Sequence, residues 1–369
     1  MEKRIGKGIS RRKALTALAA APAAVGISAP AVAQGNPVVN WRMTSSFPKA
    51  LVGIDTAATV FTTRVKEATD GKFNIQIFLP GELVPPLQAL DAAQDGTVEC
   101  AFTASYYYTG KSPAFAFGCQ LPFGLNTRQH QAWVLTGGGG ELLDEFFSQY
   151  NVRNIMLGTT AAQMGGWFRK EINNLDDLRG LKFRVGGLGG EILSRLGVIP
   201  QQIAPGDTYQ ALERGTIDAV EMISAIDDEK LGYVDVAKYY YYPGWWEGGT
   251  VTNLFINRDK WDELPETYQA IVHAAAAEAT QRCLAVYDGQ SLDALRRLVA
   301  RGAQLRPFSQ DIMDACFRIT NETLDELAQA NADFRKMYEP WKKFRADINT
   351  WFSIAETPLD TYLQRALKG

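Results

Sequence analysis

The chain has 369 residues, 46% of them hydrophobic, with 38 Lys and Arg against 41 Asp and Glu and two histidines, His130 and His273. That length suggests two domains of ordinary size. A net acidic balance argues against a nucleic-acid partner, which demands a basic face. Two distant histidines argue against a His-based zinc site or a His-dependent triad. The four cysteines, Cys100, Cys119, Cys283 and Cys316, are widely spaced and show no disulfide framework.

The opening "ISRRKALTALAAAPAAVGISAPAVAQ" has a basic start, a weakly apolar middle and a small-residue end at Ala31-Val32-Ala33. It reads as an export signal cleaved after Ala33. Arg11-Arg12 after Ser10 resembles the twin-arginine type, so a periplasmic, soluble mature protein is expected. The competing reading is a membrane anchor. Pro22, Gly26 and Pro30 interrupt the run, which falls short of the ~20 apolar residues that span a bilayer. Residues 1–33 hold six basic and one acidic side chain; taking these from 38 and 41 leaves 32 and 40, a formal charge of −8. An anionic ligand must then be drawn by a local site and not by the global field.

After the signal, "VVNWRMTSS" (38–46) predicts a strand, 52–70 a helix and "KFNIQIFL" (72–79) a second strand. Two later segments share one logic. "LQALDAAQDGTVECAFTAS" (87–105) and "YQALERGTIDAVEMISA" (209–225) each predict a short helix, a stop at Gly96 or Gly215, and an apolar strand. In the second copy Asp207 is expected to cap the helix, with Gln210 as its capping-box partner. Two lobes built alike are expected, the second starting near "RNIMLGTT" (153–160). "NNLDDLRGLKFRV" (173–185) predicts a capped turn, a stop at Gly180 and a strand. This alternation implies an α/β fold with largely parallel sheets. From about 258 the pattern is helical, with Pro265, Pro307, Pro340 and Pro358 as breaks, and the aromatic-rich tail suits covering a lobe or a partner subunit.

Ligands of open α/β sheets bind outside the carboxyl ends of strands. Arg184 ends "LKFRV" just before Gly186-Gly187, where it suits a bidentate carboxylate clamp; the alternative is a salt bridge of the fold. Glu221 ends "TIDAVE" and is followed by Met222, and Gln163 follows "RNIMLGTT". Either polar group suits a ligand or the local backbone. Tyr106 opens an aromatic run whose other role is lobe packing. "GGLGG" (186–190) suits an anion nest at a helix start, yet the spacing is not GxGxxG and a nucleotide site is disfavoured. No GxSxG elbow and no acid–base pairing demands a catalytic role.

"YYYYPGWWEGG" (239–249) packs six aromatic rings around one carboxylate, Glu247, with Pro243 and three glycines that argue against a helix. Such a carboxylate makes sense if it meets a cation in a closed pocket walled by Trp245, Trp246 and neighbouring tyrosines. The plainer reading is an apolar hinge with an exposed glutamate.

Together "YQALERGTIDAVE", "LRGLKFRV", "DDEKLGY" and "YYYYPGWWEGG" resemble the DctP family, the periplasmic substrate-binding proteins of tripartite ATP-independent (TRAP) transporters. The resemblance covers essentially the whole mature chain, and the last motif is similar to the branch that binds 2-oxo acids such as pyruvate with a cation. It implies two α/β lobes closing on a ligand, a long lobe-spanning helix, and a homodimer through the C-terminal helix. It implies lobe I from 36–156 with 247–287, lobe II from 157–246 with 288–330, and a dimerising extension from 331–369. Arg184 resembles the family's carboxylate-binding arginine, and Gln163 the glutamine before "GGWFRKE" that contacts substrate or ion. Glu221, the Met222 carbonyl and Glu247 resemble its cation site. Tyr106 and Trp246 fall beside them as substrate contacts. Position 222 departs from the Trp of related sequences, which keeps a carbonyl but changes the pocket wall. The implied cofactor is Na⁺, with Ca²⁺ as the alternative, because oxygen donors suit hard cations. The implied function is capture of a small monocarboxylate for a TRAP membrane permease. An exported metal-dependent enzyme acting on small organic acids, or a receptor for a membrane kinase, are the competing functions.

Overall fold

The computed structural model describes residues 36–367, so the expected export signal lies outside the described residues. The chain first forms β1 (Val39–Ser45), α1 (Val52–Ala68), β2 (Phe73–Phe78), α2 (Ala89–Gln94), β3 (Cys100–Thr103), α3 (Thr127–Thr136), α4 (Gly139–Ser148) and β4 (Val152–Thr159). It continues through β5 (Gly166–Phe168), β6 (Lys182–Arg184), α5 (Gly187–Ser194), β7 (Ile199–Gln201), α6 (Thr208–Glu213), β8 (Ala219–Val220), α7 (Ala225–Leu231) and β9 (Tyr239–Tyr242). Then come β10 (Val251–Asn257), α8 (Arg258–Asp262), α9 (Glu266–Ala300), β11 (Gln304–Pro307), α10 (Gln310–Ala330), α11 (Ala332–Ala355) and α12 (Thr357–Ala366).

Two sheets organise these elements, one of five strands in the order β2-β1-β3-β10-β4 and one of six in the order β11-β9-β5-β8-β6-β7. Every residue of β10, "VTNLFIN", is buried, as a central strand covered on both faces requires. The chain passes between the sheets three times: at 160–165 from β4 to β5, at 243–250 from β9 to β10, and after α9 into β11. Both sheets are mixed and not largely parallel: β10 runs antiparallel to β3 and β4 in the first, and β5 antiparallel to β8 and β9 in the second.

Helix α9 has 35 residues, about 50 Å at 1.5 Å per residue. Its buried side, Tyr268, Val272, Ala275, Ala276, Ala279, Cys283 and Tyr287, repeats at helical spacing and is rich in small residues, so the helix lies close on α1 and β4. It also packs on α7, which follows a strand of the second sheet. Thus one continuous helix bridges the two halves.

Several expectations need correcting. Segment 153–160 does not open the second lobe, since β4 is the edge strand of the first sheet beside β10. Asp207 makes no side-chain cap, because a 3-10 turn, Pro205–Asp207, leads into α6 instead. Pro340 does not break the tail but sits inside α11. By contrast Gly96 and Gly215 do take positive φ, 77° and 71°, where their helices stop. Asn174 caps its turn as the sequence predicts. All four cysteines are buried and free.

The tail divides into two parts. Phe334, Met337, Tyr338 and Trp341 are buried against the body, with Phe334 only 4.8 Å from the Phe117 ring. Beyond them Trp351, Ile354, Leu359, Tyr362 and Leu363 are exposed, and α12 buries no residue.

Candidate functional site

The two crossovers at 160–165 and 243–250 run side by side. Thr160 N–H donates to the Thr250 carbonyl at 2.9 Å, and Thr250 N–H donates to Thr160 Oγ1 at 3.0 Å. This pairing brings Gln163 to Glu247: Gln163 Nε2 donates to Glu247 Oε2 at 2.6 Å and to Thr160 Oγ1 at 2.8 Å. Thr250 Oγ1 donates to the same Oε2 at 2.5 Å. Glu247 is 3% exposed, so it is not the exposed glutamate of an apolar hinge.

Arg184 comes from the carboxyl end of β6 and Glu221 from just after β8, its neighbour in the sheet. Arg184 Nη1 donates to Glu221 Oε1 at 2.5 Å and to the Glu221 carbonyl at 2.7 Å, and Nε donates to the Ile203 carbonyl at 3.1 Å. The pair is almost wholly buried, at 2% and 1% exposure. The glycine-rich start of α5 does hold an anion, but it is the protein's own: Gly186 N–H donates to Glu221 Oε1 at 2.9 Å. Burying such a pair costs much desolvation and adds little net stability, which points to a functional use for the arginine.

The electrostatics are unbalanced. Burial, reinforced by the Glu221 charge, pushes Glu247 up to about 8 despite bonds from Thr250 and Gln163. Burial also raises Glu221, with Arg184 opposing. Burial works against the Arg184 charge, yet Glu221 holds the guanidinium above its usual value. One arginine thus faces two carboxylates in a site from which water is largely excluded.

A small cavity reaches Arg184 and the two threonines that flank Glu247. Arg184, Tyr106, Tyr107, Met222, Thr160 and Thr250 line it, with Phe47, Leu51, Ile54 and Ile223 as its apolar wall. Tyr106 packs beside the Gly186-Gly187 turn, where an added Cβ would lie 2.9 and 3.3 Å from its side chain. Trp246 stands apart from the expected set. Its ring packs at 5.5 Å on Phe183 and 5.8 Å on Phe308, in the core of the second sheet. Trp245 and Tyr241 belong to that same core, so the rings of "YYYYPGWWEGG" are not the cavity wall. Thr160 and Thr250, which orient Glu247, were missed in the sequence. Thr250 stands directly after the motif, and Thr160 ends "RNIMLGTT". Their signal was a hydroxyl beside each crossover.

The donor set suits a hard cation. Gln163 Oε1 and Glu221 Oε2 are buried and accept no hydrogen bond, an unfavourable state for an acceptor that is not given another partner. Two carboxylates, an amide oxygen and the Met222 carbonyl would supply oxygen ligands of the kind Na⁺ or Ca²⁺ takes. Among the described residues no group of three or more His, Cys, Asp or Glu side chains converges, so a cation here would also need the amide and backbone oxygens. A wider groove of about 470 Å³ along β4, lined by Leu135, Leu143, Ile155 and His273, lies apart from these residues.

The model of bacterial extracellular solute-binding proteins, family 7 (DctP), matches residues 47–331, and the chain belongs to that family. It is 48% identical over 334 residues to a monocarboxylate 2-oxoacid-binding periplasmic protein of Nostoc sp., covering 90% of this chain and 91% of that one. Its fold matches a TRAP transporter solute-binding protein of Bordetella bronchiseptica at 48% identity and a TM-score of 0.89, covering 90% of this chain and 99% of that one. That protein was solved as a dimer with copurified calcium and picolinate in one site and the other site apo. A TRAP solute-binding protein of Pseudoalteromonas atlantica, solved with sodium and pyruvate, matches at 32% identity and a TM-score of 0.84, covering 88% and 98%. The two-lobed α/β fold is that of these relatives.

Proposed function

We propose that the protein captures a small 2-oxo monocarboxylate such as pyruvate together with one cation, Na⁺ or Ca²⁺, and delivers it to the membrane subunits of a TRAP transporter. The observation that carries this reading is two buried polar pairs, Arg184 with Glu221 and Gln163 with Glu247, whose charges act on each other while two of their oxygens lack hydrogen-bond partners. The relatives that bind 2-oxo acids, pyruvate with sodium, or picolinate with calcium support it.

Arg184 meets the ligand carboxylate, with Nη2 as the nitrogen its present bonds leave over. Gln163, Glu221, Glu247 and the Met222 carbonyl hold the cation, and the ligand's carboxylate and 2-oxo oxygens complete its shell. Two glutamates and a ligand carboxylate against one arginine need such a charge. Two like charges ~4 Å apart repel by about 4 kcal/mol at an effective dielectric of ~20. Tyr106 and Met222 shape the volume available to the ligand's side chain. Trp246 supports the crossover from the core and is not proposed as a ligand contact.

The expected lobes, 36–156 with 247–287 and 157–246 with 288–330, close about the crossovers, with β4 kept whole in the first lobe through Thr159. The protein works in the periplasm, exported by the twin-arginine route, and performs no chemistry of its own. Its C-terminal extension, 331–369, pairs two copies through the exposed side chains of Trp351, Ile354, Leu359, Tyr362 and Leu363. The test is thermal unfolding with increasing pyruvate, 2-oxobutyrate and lactate, in buffers with and without Na⁺ and Ca²⁺. A true ligand raises the midpoint with concentration; unchanged midpoints for all three acids with either ion overturn the reading.

A further inference from the structure

Phe123 and Ala161 are two non-glycine residues with positive φ, 50° and 52°, and they sit in the two segments that flank Glu247. Ala161 lies in the crossover that carries Gln163. Phe123 belongs to another loop, 120–126, and touches neither ligand-facing carboxylate. A residue with a Cβ adopts this conformation at a cost, and such outliers concentrate where a site must be held in one arrangement.

The bonds of Phe123 show what it holds. Its N–H donates to the Trp245 carbonyl at 2.7 Å, two residues before Glu247. Its ring stacks on the Trp245 ring at 5.0 Å and 18°, and meets Phe317 of α10 edge-on at 5.2 Å. Its carbonyl accepts from Arg345 Nη1 of α11 at 3.3 Å. The neighbouring Gly124 lies against Trp341 of α11, where an added Cβ would come within 3.1 Å of the indole. The same loop grips the far end of the crossover, since Gln120 Nε2 donates to the Gly249 carbonyl at 3.3 Å. Glu247 N–H closes the turn between them on the Gly244 carbonyl at 3.2 Å. Hydrogen bonds to the backbone on both sides of Glu247 thus come from 120–126, one from the Phe123 N–H and one from the Gln120 side chain, and that loop is pinned to α11.

We propose that Phe123 is a positioning residue that fixes Glu247 through Trp245, and that α11 sets the cation affinity of the site by way of Phe123 and Arg345. The proposal rests on the reading of Glu247 as a cation ligand. Groups that orient a metal ligand without touching the metal change metal affinity by about 10–100-fold when removed. A residue that merely fills space would lower stability and leave the cation requirement alone. Phe123 is half-buried against the core that holds Trp245, while Phe317 on its other side is 48% exposed, so the test reads cation affinity separately from stability.

The test is calorimetric binding of pyruvate to the full mature chain at graded Na⁺ or Ca²⁺, for the wild type, Phe123→Ala, Phe123→Tyr, Arg345→Ala and a Glu247→Gln control. Phe123→Ala is expected to raise the cation concentration for half-saturation by about 10–100-fold, with the circular dichroism of the free protein unchanged. Phe123→Tyr restores the wild-type value, and Arg345→Ala shifts it in the same direction by less. If the wild type binds pyruvate and Glu247→Gln raises the cation midpoint, but Phe123→Ala keeps the wild-type midpoint, the positioning role is overturned and the function stands. If Phe123→Ala fails to fold, an unshifted midpoint in Arg345→Ala overturns it. If the wild type binds no pyruvate at any ion concentration, the functional reading itself falls.

Discussion

Replacing Arg184 by methionine removes the charge proposed to meet the ligand carboxylate while keeping much of the side chain's apolar volume. Arg184 and Glu221 are 2% and 1% exposed, so neither loss is screened by water. Truncating one partner of a buried hydrogen-bonded charge pair costs about 2–5 kcal/mol, which is roughly 30-fold to several thousandfold in affinity. The fold has a way to adapt. Burial already raises Glu221, and Arg184, with the Gly186 N–H, opposes it, so losing the arginine favours the protonated glutamate further. A second variant, Arg184→Met with Glu221→Gln, removes both charges and relieves any instability from an orphaned carboxylate. Both variants should unfold cooperatively near the wild-type temperature and bind pyruvate at least ~30-fold more weakly by calorimetry at saturating Na⁺ or Ca²⁺. Pyruvate affinity in the double variant within about a factor of three of wild type would refute the assignment of Arg184.

Three further outcomes are expected. Glu247 sits near 8 in the free protein because of burial and then Glu221, so protons compete with the cation: cation affinity should rise from pH 6 to about 8 and flatten above. Glu247→Gln should abolish that slope, and a flat wild-type profile contradicts the placement. Asp228, raised from 3.8 to about 7 chiefly by burial, is protonated in the fold but ionised in the unfolded chain between these values. Its contribution is therefore present below the unfolded value and lost as pH rises through 7, at up to about 1.4 kcal/mol per pH unit. Asp228→Asn keeps an acceptor for the Tyr240 hydroxyl at 2.6 Å and the Trp167 indole at 3.0 Å. Urea unfolding should show it gaining stability over wild type from pH 5 to 7, and parallel curves would refute this. Trp351→Glu with Tyr362→Glu places charges on the exposed tail, at 62% and 66% exposure, and should convert a dimer to monomers in sedimentation; a wild type already monomeric at micromolar concentration refutes the proposed pairing.

Much of the fold was legible because period and punctuation agree. The first strand, helix and second strand, the stops at Gly96 and Gly215, and the Asn174 turn all follow from local rules. What failed depended on distant partners. Nothing in "RNIMLGTT" says which sheet it joins, because that is decided by pairing with β10, almost a hundred residues later. Pro340 fits inside α11, where Phe334, Met337, Tyr338 and Trp341 anchor the helix to the body and override the local penalty. The polar residues of the site were legible as carboxyl-end positions, and the structure brings Arg184 to Glu221 and Gln163 to Glu247. The apolar wall was not. Trp245 and Trp246 look like a pocket lining in sequence but face Phe123, Phe183 and Phe308, while the wall comes from Phe47, Leu51 and Ile54 far upstream.

Cation-dependent capture of a 2-oxo acid is tested most directly by titrating pyruvate into chelator-treated protein in sodium-free buffer, then repeating the titration with Na⁺ or Ca²⁺ restored. Binding should be lost without the ions and return with one of them, and Glu221→Gln should weaken that rescue. Equal pyruvate affinity with and without both ions would contradict the placement of Glu221 and Glu247 around a cation.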